Sequence, residues 1–418
     1  MMRNSTDHQL FDFVIVGAGP CGTAAAVEIA KSIPDAKIAL VGGEPHPAYE
    51  RPLLSKSALL DLSGELPPKI LYGGLQGLST LGVSTYIPDF ATDINPIEKT
   101  ITLASNQTIA YSKLLLATGS APRRLNVPGA GLQCVHYLRT FEEARSIAAC
   151  LGPAKKIVII GGGFIGLEVA ATARRAGCDV TVLEAGDRLL ARGVPNIISA
   201  RLTEKFKQEG VKLIFNASVS ALQGSEYVTG VELSDGMKLP TDAVIIGIGN
   251  IPTTELALKA GLLIEDGIVT NHDGRTSDPD IYAAGDVARG PQGLSSHPNY
   301  TKRLEAWDPA MRQGVACAKV MSGKGEAEGF SPWIWSDQFD WDLQIAGHGE
   351  LADESVIREG NAPDTITVLQ LYQGRLIGLV SLNDSLNMTV GRRALKSNAE
   401  VDVSLAIDRS SRFKYAFI

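Results

Sequence analysis

The sequence predicts an α/β chain with two parallel β–turn–α–β units and a small α+β segment at its C-terminal end. Three observations carry this prediction. Twice in 418 residues a short apolar run breaks into a glycine-rich turn and resumes as a helix-forming stretch. In both places the strand that follows the helix leads to an acidic residue. Beyond residue 329 short apolar runs alternate with turn residues, as in a small antiparallel sheet with a flanking helix.

The first unit opens with the apolar run Phe11–Val16, which ends at Gly17-Ala18-Gly19-Pro20-Cys21-Gly22. The alanine-rich stretch Thr23–Lys31 reads as a helix, and Lys37–Val41 as the second strand, with Glu44 shortly after it. Glycines in a G-x-G-x-x-G turn let the chain reverse tightly and let a pyrophosphate approach the backbone at a helix start. Glu44 stands where a carboxylate accepts hydrogen bonds from a ribose. The second unit repeats the arrangement. Lys156–Ile160 runs into Gly161-Gly162-Gly163-Phe164-Ile165-Gly166, the helix Leu167–Arg175 closes at Gly177, and the strand Asp179–Leu183 ends on Glu184. Glu184 follows Gly161 by roughly the 20 residues expected of such an acid. Two complete fingerprints, each set between strand and helix, predict two Rossmann-like dinucleotide-binding domains.

Two further segments fit a divided first domain. Leu114–Ser120 is an apolar strand running into Thr118-Gly119, and Asp280–Ala288 is a strand running into Gly285-Asp286. Asp286 reads either as a helix N-cap or as a carboxylate receiving ribityl hydroxyls. In the C-terminal segment the apolar runs Leu343–Ala346, Thr365–Tyr372 and Arg375–Ser381 read as strands, with Gln373-Gly374 as a hairpin turn between the last two.

Composition limits the function classes. Hydrophobic residues make up 44% and charged residues 20%, as in an ordinary globular protein. A net charge of −7 argues against general nucleic-acid binding. No apolar run approaches the ~20 residues of a membrane-spanning helix. The N-terminal MMRNSTDHQLFDF lacks a charged region followed by an apolar core, so neither a signal peptide nor a membrane association is expected, and the expected location is cytoplasmic. The five cysteines, Cys21, Cys134, Cys150, Cys178 and Cys317, form no C-x-x-C pair and show no zinc-ligand spacing. Each reads as a small buried apolar residue, and no metal site is expected.

Taken together, Arg51-Pro52-Leu53-Leu54-Ser55-Lys56, the run GGGFIGLEVAATARRAG, GIGNIPTTELA, AAGDVA and PWIWSDQFDWDLQIAG resemble the two-dinucleotide flavoproteins. Within that group the match is to the FAD-dependent ferredoxin reductases. The resemblance covers nearly the whole chain. It implies a glutathione-reductase-like fold with a discontinuous FAD-binding domain at 1–119 and 252–328, an NAD-binding domain at 120–251, and a reductase-type C-terminal domain at 329–418. It assigns Gly17, Gly19, Pro20, Cys21, Gly22, Glu44, Arg51, Lys56, Ala91, Thr118, Gly119, Arg139, Gly285, Asp286 and Trp307 to FAD. Gly161, Gly163, Phe164, Ile165, Gly166, Glu168, Glu184 and Gly249 go to NAD. RPLLSK in place of RPPLSK, and Asp308-Pro309 in place of Asn-Ala, are departures from the family pattern.

The resemblance also implies catalytic roles for Lys56, Glu168 and Trp335. Lys56 matches the lysine beside flavin N5, Glu168 the acid that pairs with it, and Trp335 the tryptophan near the isoalloxazine. Read alone, they are a solvated lysine, a helix-start acid and a packing tryptophan. Glu184 favours NADH, because a carboxylate there accepts from the adenosine 2′-hydroxyl and repels a 2′-phosphate. Arg188 leaves NADPH open as a weaker donor. The implied activity is an NADH-dependent reductase whose FAD passes single electrons to a 2Fe–2S ferredoxin serving a Rieske-type dioxygenase or a haem monooxygenase. The alternative is a rubredoxin reductase or an oxidoreductase like apoptosis-inducing factor. A cysteine-dependent oxidase or peroxidase is set aside, because residues 44–70 contain no cysteine. For an acidic protein partner the candidate basic residues are Arg392, Arg393 and Lys396, with Arg174 and Arg175.

Overall fold

Apolar strands covered on both faces organise the chain. The computed structural model describes residues 8–61, 64–326 and 330–418. The expected junction at 328/329, and residues 1–7 of the segment read for a leader, lie outside these. Two compact units are present. One comprises Met1–Glu50, Leu66–Ala121 and Ile251–Phe330, the other Arg51–Glu65, Pro122–Asn250 and Ser331–Ile418.

In the first unit the parallel strands lie in the order Val83–Tyr86, Ile38–Val41, Gln9–Val16, Thr108–Leu116. Thr108–Leu116 divides its far edge. Its first half pairs antiparallel with Thr100–Leu103, and its second half pairs parallel with Ile281–Ala283. Ile38–Val41 is buried at every position, as expected of a parallel strand covered on both faces. Side-chain alternation sends Phe13 and Ile15 into one core with the helices Pro20–Ser32 and Trp307–Met321. Val14 and Val16 enter a second core with Leu114, Leu116 and Ile281.

The second unit repeats the parallel theme with strands in the order Lys212–Ile214, Asp179–Leu183, Lys156–Ile160, Ala243–Ile246, Val135–Tyr137. A three-stranded antiparallel sheet, Val219–Gly224, Val228–Leu233 and Lys238–Pro240, shares its core. The C-terminal segment forms a five-stranded antiparallel sheet in the order Trp333–Gln338, Trp341–Gly347, Arg375–Leu382, Ile366–Tyr372, Glu354–Glu359, with the helix Ser385–Lys396 packed on it. Gln373 and Gly374 both take positive φ, 52° and 76°, which is the primed turn that fits a two-residue hairpin. Sequence reading finds neither outermost strand of this sheet, because their apolar runs are short, Trp333-Ile334-Trp335 in one and Val356-Ile357 in the other, and polar or charged residues follow at once.

The fingerprint helices begin earlier than their apolar content suggests, at Pro20 and Phe164. Pro20 suits the first turn, where its missing N–H has no partner to lose. The helix Phe164–Arg175 ends at Ala176 with Gly177 next at φ 84°, the expected glycine stop. Among the described residues, no helix is long and apolar enough to cross a membrane.

Candidate functional site

The two glycine turns share one construction. Gly17 and Gly161 both sit at φ 114°, and a Cβ on either would overlap a carbonyl, that of Ala117 or that of Gly247. Gly22 and Gly166 press against the carbonyls of Gly17 and Gly161, so these positions serve the close packing of helix on turn. Gly163 differs. It caps the helix Phe164–Arg175 without a side-chain bond, and a Cβ added there meets no protein atom within 4 Å. That space lies beside free N–H groups at a helix start and fits a pyrophosphate. In the first unit Gly19 likewise caps Pro20–Ser32 without a side-chain bond.

The acid after each second strand is fixed in place. Glu44 is half-buried and accepts from the Tyr49 hydroxyl at 2.7 Å. Glu184 accepts from the Gly162 N–H at 2.6 Å and from the Gly186 N–H at 2.7 Å, which aims its carboxylate while leaving lone pairs for hydroxyl donors. Arg188 turns back into its own loop, donating to the carbonyls of Val194 at 3.0 Å and Ala191 at 2.6 Å.

Lys56, Glu168 and Trp335 come together inside the second unit. Lys56 follows the 3₁₀ turn Arg51–Ser55, and Glu168 lies in the second turn of the helix Phe164–Arg175. They are 8% and 5% exposed. Their charged atoms are 3.8 Å apart, but the nearer partner of Lys56 Nζ is Asp337 Oδ2, at 2.6 Å. Ser336 donates to Glu168 Oε1 at 2.6 Å and Ser55 donates to Oε2. Thr172, one helical turn after Glu168, donates to the Ser55 carbonyl at 2.9 Å and ties that turn to the helix. Burial pushes the Glu168 carboxyl up, and Lys56 and the two serines oppose that rise. The Trp335 ring lies 5.6 Å from Lys56 Nζ and stacks on Trp333 with centroids 4.9 Å apart. Trp333 thus has a stacking role beyond core packing, and Arg392 lies 4.2 Å from its ring centroid.

Asp337, Ser336 and Ser55 are members of this cluster that sequence reading missed. Asp337 stands 281 residues from Lys56, so no local pattern links them. One signal was available: Asp337 lies two residues beyond Trp335 on one strand, hence on the same face.

The remaining predicted residues separate by unit. In the first unit Ala91 is buried at the start of the strand Ala91–Asn95. Thr118 donates to the Thr253 carbonyl at 2.7 Å, and the Gly119 carbonyl accepts from Thr253 N at 3.0 Å. Gly285 N–H donates to Gln313 at 2.8 Å, and Asp286, inside a 3₁₀ turn, accepts from Ser120 at 3.1 Å. Cys21 is buried beneath Gly285 and Gly314. Trp307 opens the helix Trp307–Met321, where Asp308 binds Arg312 at 2.8 Å. In the second unit Arg51 donates to the Arg139 carbonyl at 2.8 Å. The Gly249 carbonyl accepts from Arg123 N at 2.9 Å, and Ile165 is 41% exposed beside Phe164. Of the candidate docking cations, Arg174 is spent on the carbonyls of Glu209 and Cys178, and Arg175 donates to Phe339 O. Arg393 and Lys396 are exposed on Ser385–Lys396.

The uniform reading of the cysteines needs correction. Cys21, Cys178 and Cys317 are buried, but Cys134 and Cys150 are only partly so and lie beside His136. Burial pushes the Cys317 thiol up to about 12, and burial with Cys134 as neighbour pushes Cys150 up to about 11.

A family model described as pyridine nucleotide-disulphide oxidoreductase matches residues 11–314, and one described as reductase C-terminal matches residues 333–417. The chain belongs to the pyridine nucleotide-disulphide oxidoreductase family. It is an oxidoreductase of the flavin- and NAD(H)-using kind, with the reductase C-terminal segment following. Rhodocoxin reductase of Rhodococcus erythropolis is 35% identical over 412 residues, covering 96% of this chain and 93% of that one. The ferredoxin–NAD(+) reductase component of the anthranilate 1,2-dioxygenase system of Burkholderia cepacia is 33% identical over 396 residues, covering 93% and 95%. The solved covalent complex of putidaredoxin reductase with putidaredoxin superposes with a TM-score of 0.91 at 32% identity, covering 97% and 98%.

Proposed function

We propose that this oxidoreductase takes hydride from NADH onto FAD and passes electrons singly to a 2Fe–2S ferredoxin, which serves a Rieske-type dioxygenase or a haem monooxygenase. The observation that carries the reading is the buried Lys56–Glu168 pair, held by Ser55, Ser336 and Asp337 with Trp335 alongside. The names of the relatives support the acceptor. In this reading 1–119 with 252–328 binds FAD, 120–251 binds NADH, and 329–418 completes the reductase.

Bound FAD supplies the chemistry, accepting a hydride and releasing its two electrons separately. The residues of the chain do the rest. Gly163 leaves one helix start open to a pyrophosphate, and Gly19, which caps the other helix without a side-chain bond, would serve the second. Glu44 and Glu184 accept from ribose hydroxyls. Glu184, already fixed by two N–H donors, repels a 2′-phosphate, and Arg188 is engaged by carbonyls, so NADH is preferred. Lys56 would supply a preorganised positive charge beside the flavin ring, favouring its reduced, anionic form. Glu168 and Asp337 hold that ammonium at its position, and the Trp335 ring lies alongside it.

Mixing the yellow protein with NADH and with NADPH under anaerobic conditions tests the donor side. Faster bleaching of the flavin band by NADH is expected. Equal or faster bleaching by NADPH would overturn the role given to Glu184.

A further inference from the structure

Away from this cluster the chain gathers three soft ligands at the edge of the second unit. Cys134 immediately precedes the edge strand Val135–Tyr137, His136 lies within it, and Cys150 follows the helix Phe141–Ala148. One ligand atom from each lies within 4.8 Å of the others, and His136 Nε2 stands 3.3 Å from Cys150 Sγ. A tetrahedral zinc ion, with bonds of about 2.3 Å to sulfur and about 2.0 Å to nitrogen, sets its ligand atoms about 3.5–3.8 Å apart. The trio therefore needs adjustments of about 1 Å or less to enclose an ion.

We propose that Cys134, His136 and Cys150 form a binding site for a thiophilic divalent cation, Zn²⁺, with water completing the tetrahedron. Two thiolates and an imidazole are a soft donor set that selects zinc over magnesium or calcium. On binding, any proton held by either thiol passes to solvent, and the zinc with two thiolates carries no net charge.

The backbone around the trio is already fixed. The Cys134 carbonyl accepts from Val244 N at 2.9 Å, pinning it to the neighbouring strand, while its φ of 62° turns the chain sharply. A Thr140–Glu143 capping box fixes the start of the helix that ends just before Cys150. The ion would close the strand–helix segment on itself. Within that segment Arg139 gives its carbonyl to Arg51. The site thus braces the backbone at Arg139 without touching the Lys56 cluster.

Cobalt titration of the reduced, chelator-treated, flavin-loaded protein tests this. Co²⁺ bound by thiolates absorbs in the red, beyond the bands of oxidised flavin. One Co²⁺ per chain with that absorption, displaced by Zn²⁺, is the expected result. Cys150→Ser and His136→Ala should each weaken Co²⁺ binding by more than about tenfold. Absence of the thiolate–cobalt absorption in the parent protein overturns the proposal, whatever the variants do. Undiminished binding by a folded Cys150→Ser protein overturns it as well. So does recovery of Cys134 joined to Cys150 by a disulfide in freshly purified, metal-free protein, which would make the pair a redox element.

Discussion

Replacing Lys56 with Met and Glu168 with Gln should have unequal consequences, although the two residues are partners. Glu168 is 5% exposed, whereas the Asp337 side chain is 54% exposed. Removing Lys56 strands Glu168 in a dry environment. Breaking a buried pair from one side costs about 3–5 kcal/mol, here as an upper bound, because Ser55 and Ser336 still donate to the carboxylate. Removing the Glu168 charge leaves Lys56 bound to Asp337 at 2.6 Å and relieves a desolvated carboxylate, so the change should stay within about 1 kcal/mol. The difference depends on pH, with a definite sign. Burial raises the folded-state pKa of Glu168, so the stability this group contributes is full below its unfolded value of about 4.3 and is lost as pH rises through the raised value. Without Lys56, which opposes the rise, that value climbs further. The Lys56→Met deficit should therefore be largest near neutrality and shrink in mild acid. Urea unfolding followed by tryptophan fluorescence reads this, since Trp333, Trp335 and Trp341 all lie in the second unit. Equal losses in the two variants, or a Lys56→Met deficit that does not change with pH, would refute the reasoning.

Three further outcomes are expected. Glu184→Ala should lower kcat/KM for NADH roughly 10–100-fold, the worth of a hydrogen bond to a charged group, while narrowing the preference over NADPH; steady-state kinetics with both donors checks this. Gly163→Ala should leave thermal stability nearly unchanged yet raise the KM for NADH, because the added methyl enters space kept for a pyrophosphate; Gly166→Ala, pressed against the Gly161 carbonyl, should lower the melting temperature instead. Ferredoxin-dependent turnover should weaken with salt and with loss of Arg393 and Lys396, while reduction of a small dye hardly changes; a salt-insensitive KM for ferredoxin would remove electrostatic docking from the account.

Both glycine turns were legible because each is a local rule with a steric cause, and the structure gives Gly17 and Gly161 the same φ of 114°. The hairpin at Gln373-Gly374 was legible for the same reason. The polar surroundings of Glu168 were not. Lys56 and Asp337 meet only through tertiary structure, and a carboxylate near the polar end of a short strand looks like any solvated side chain. The same holds for Cys134, His136 and Cys150. Two of these lie close together in sequence, but the third returns only after a helix whose length decides whether the trio can form. Arg174 and Arg175 looked like docking cations because sequence shows charge and not the carbonyls that absorb it.

The most direct test of the central claim is NADH-driven cytochrome c reduction with and without an added 2Fe–2S ferredoxin, run beside stopped-flow bleaching of the flavin. The account predicts rapid bleaching by NADH, and cytochrome c reduction that rises and saturates with ferredoxin. Bleaching by NADH with no dependence on any of several ferredoxins would contradict the proposed acceptor, and a protein that NADH does not bleach would contradict the proposed reaction itself.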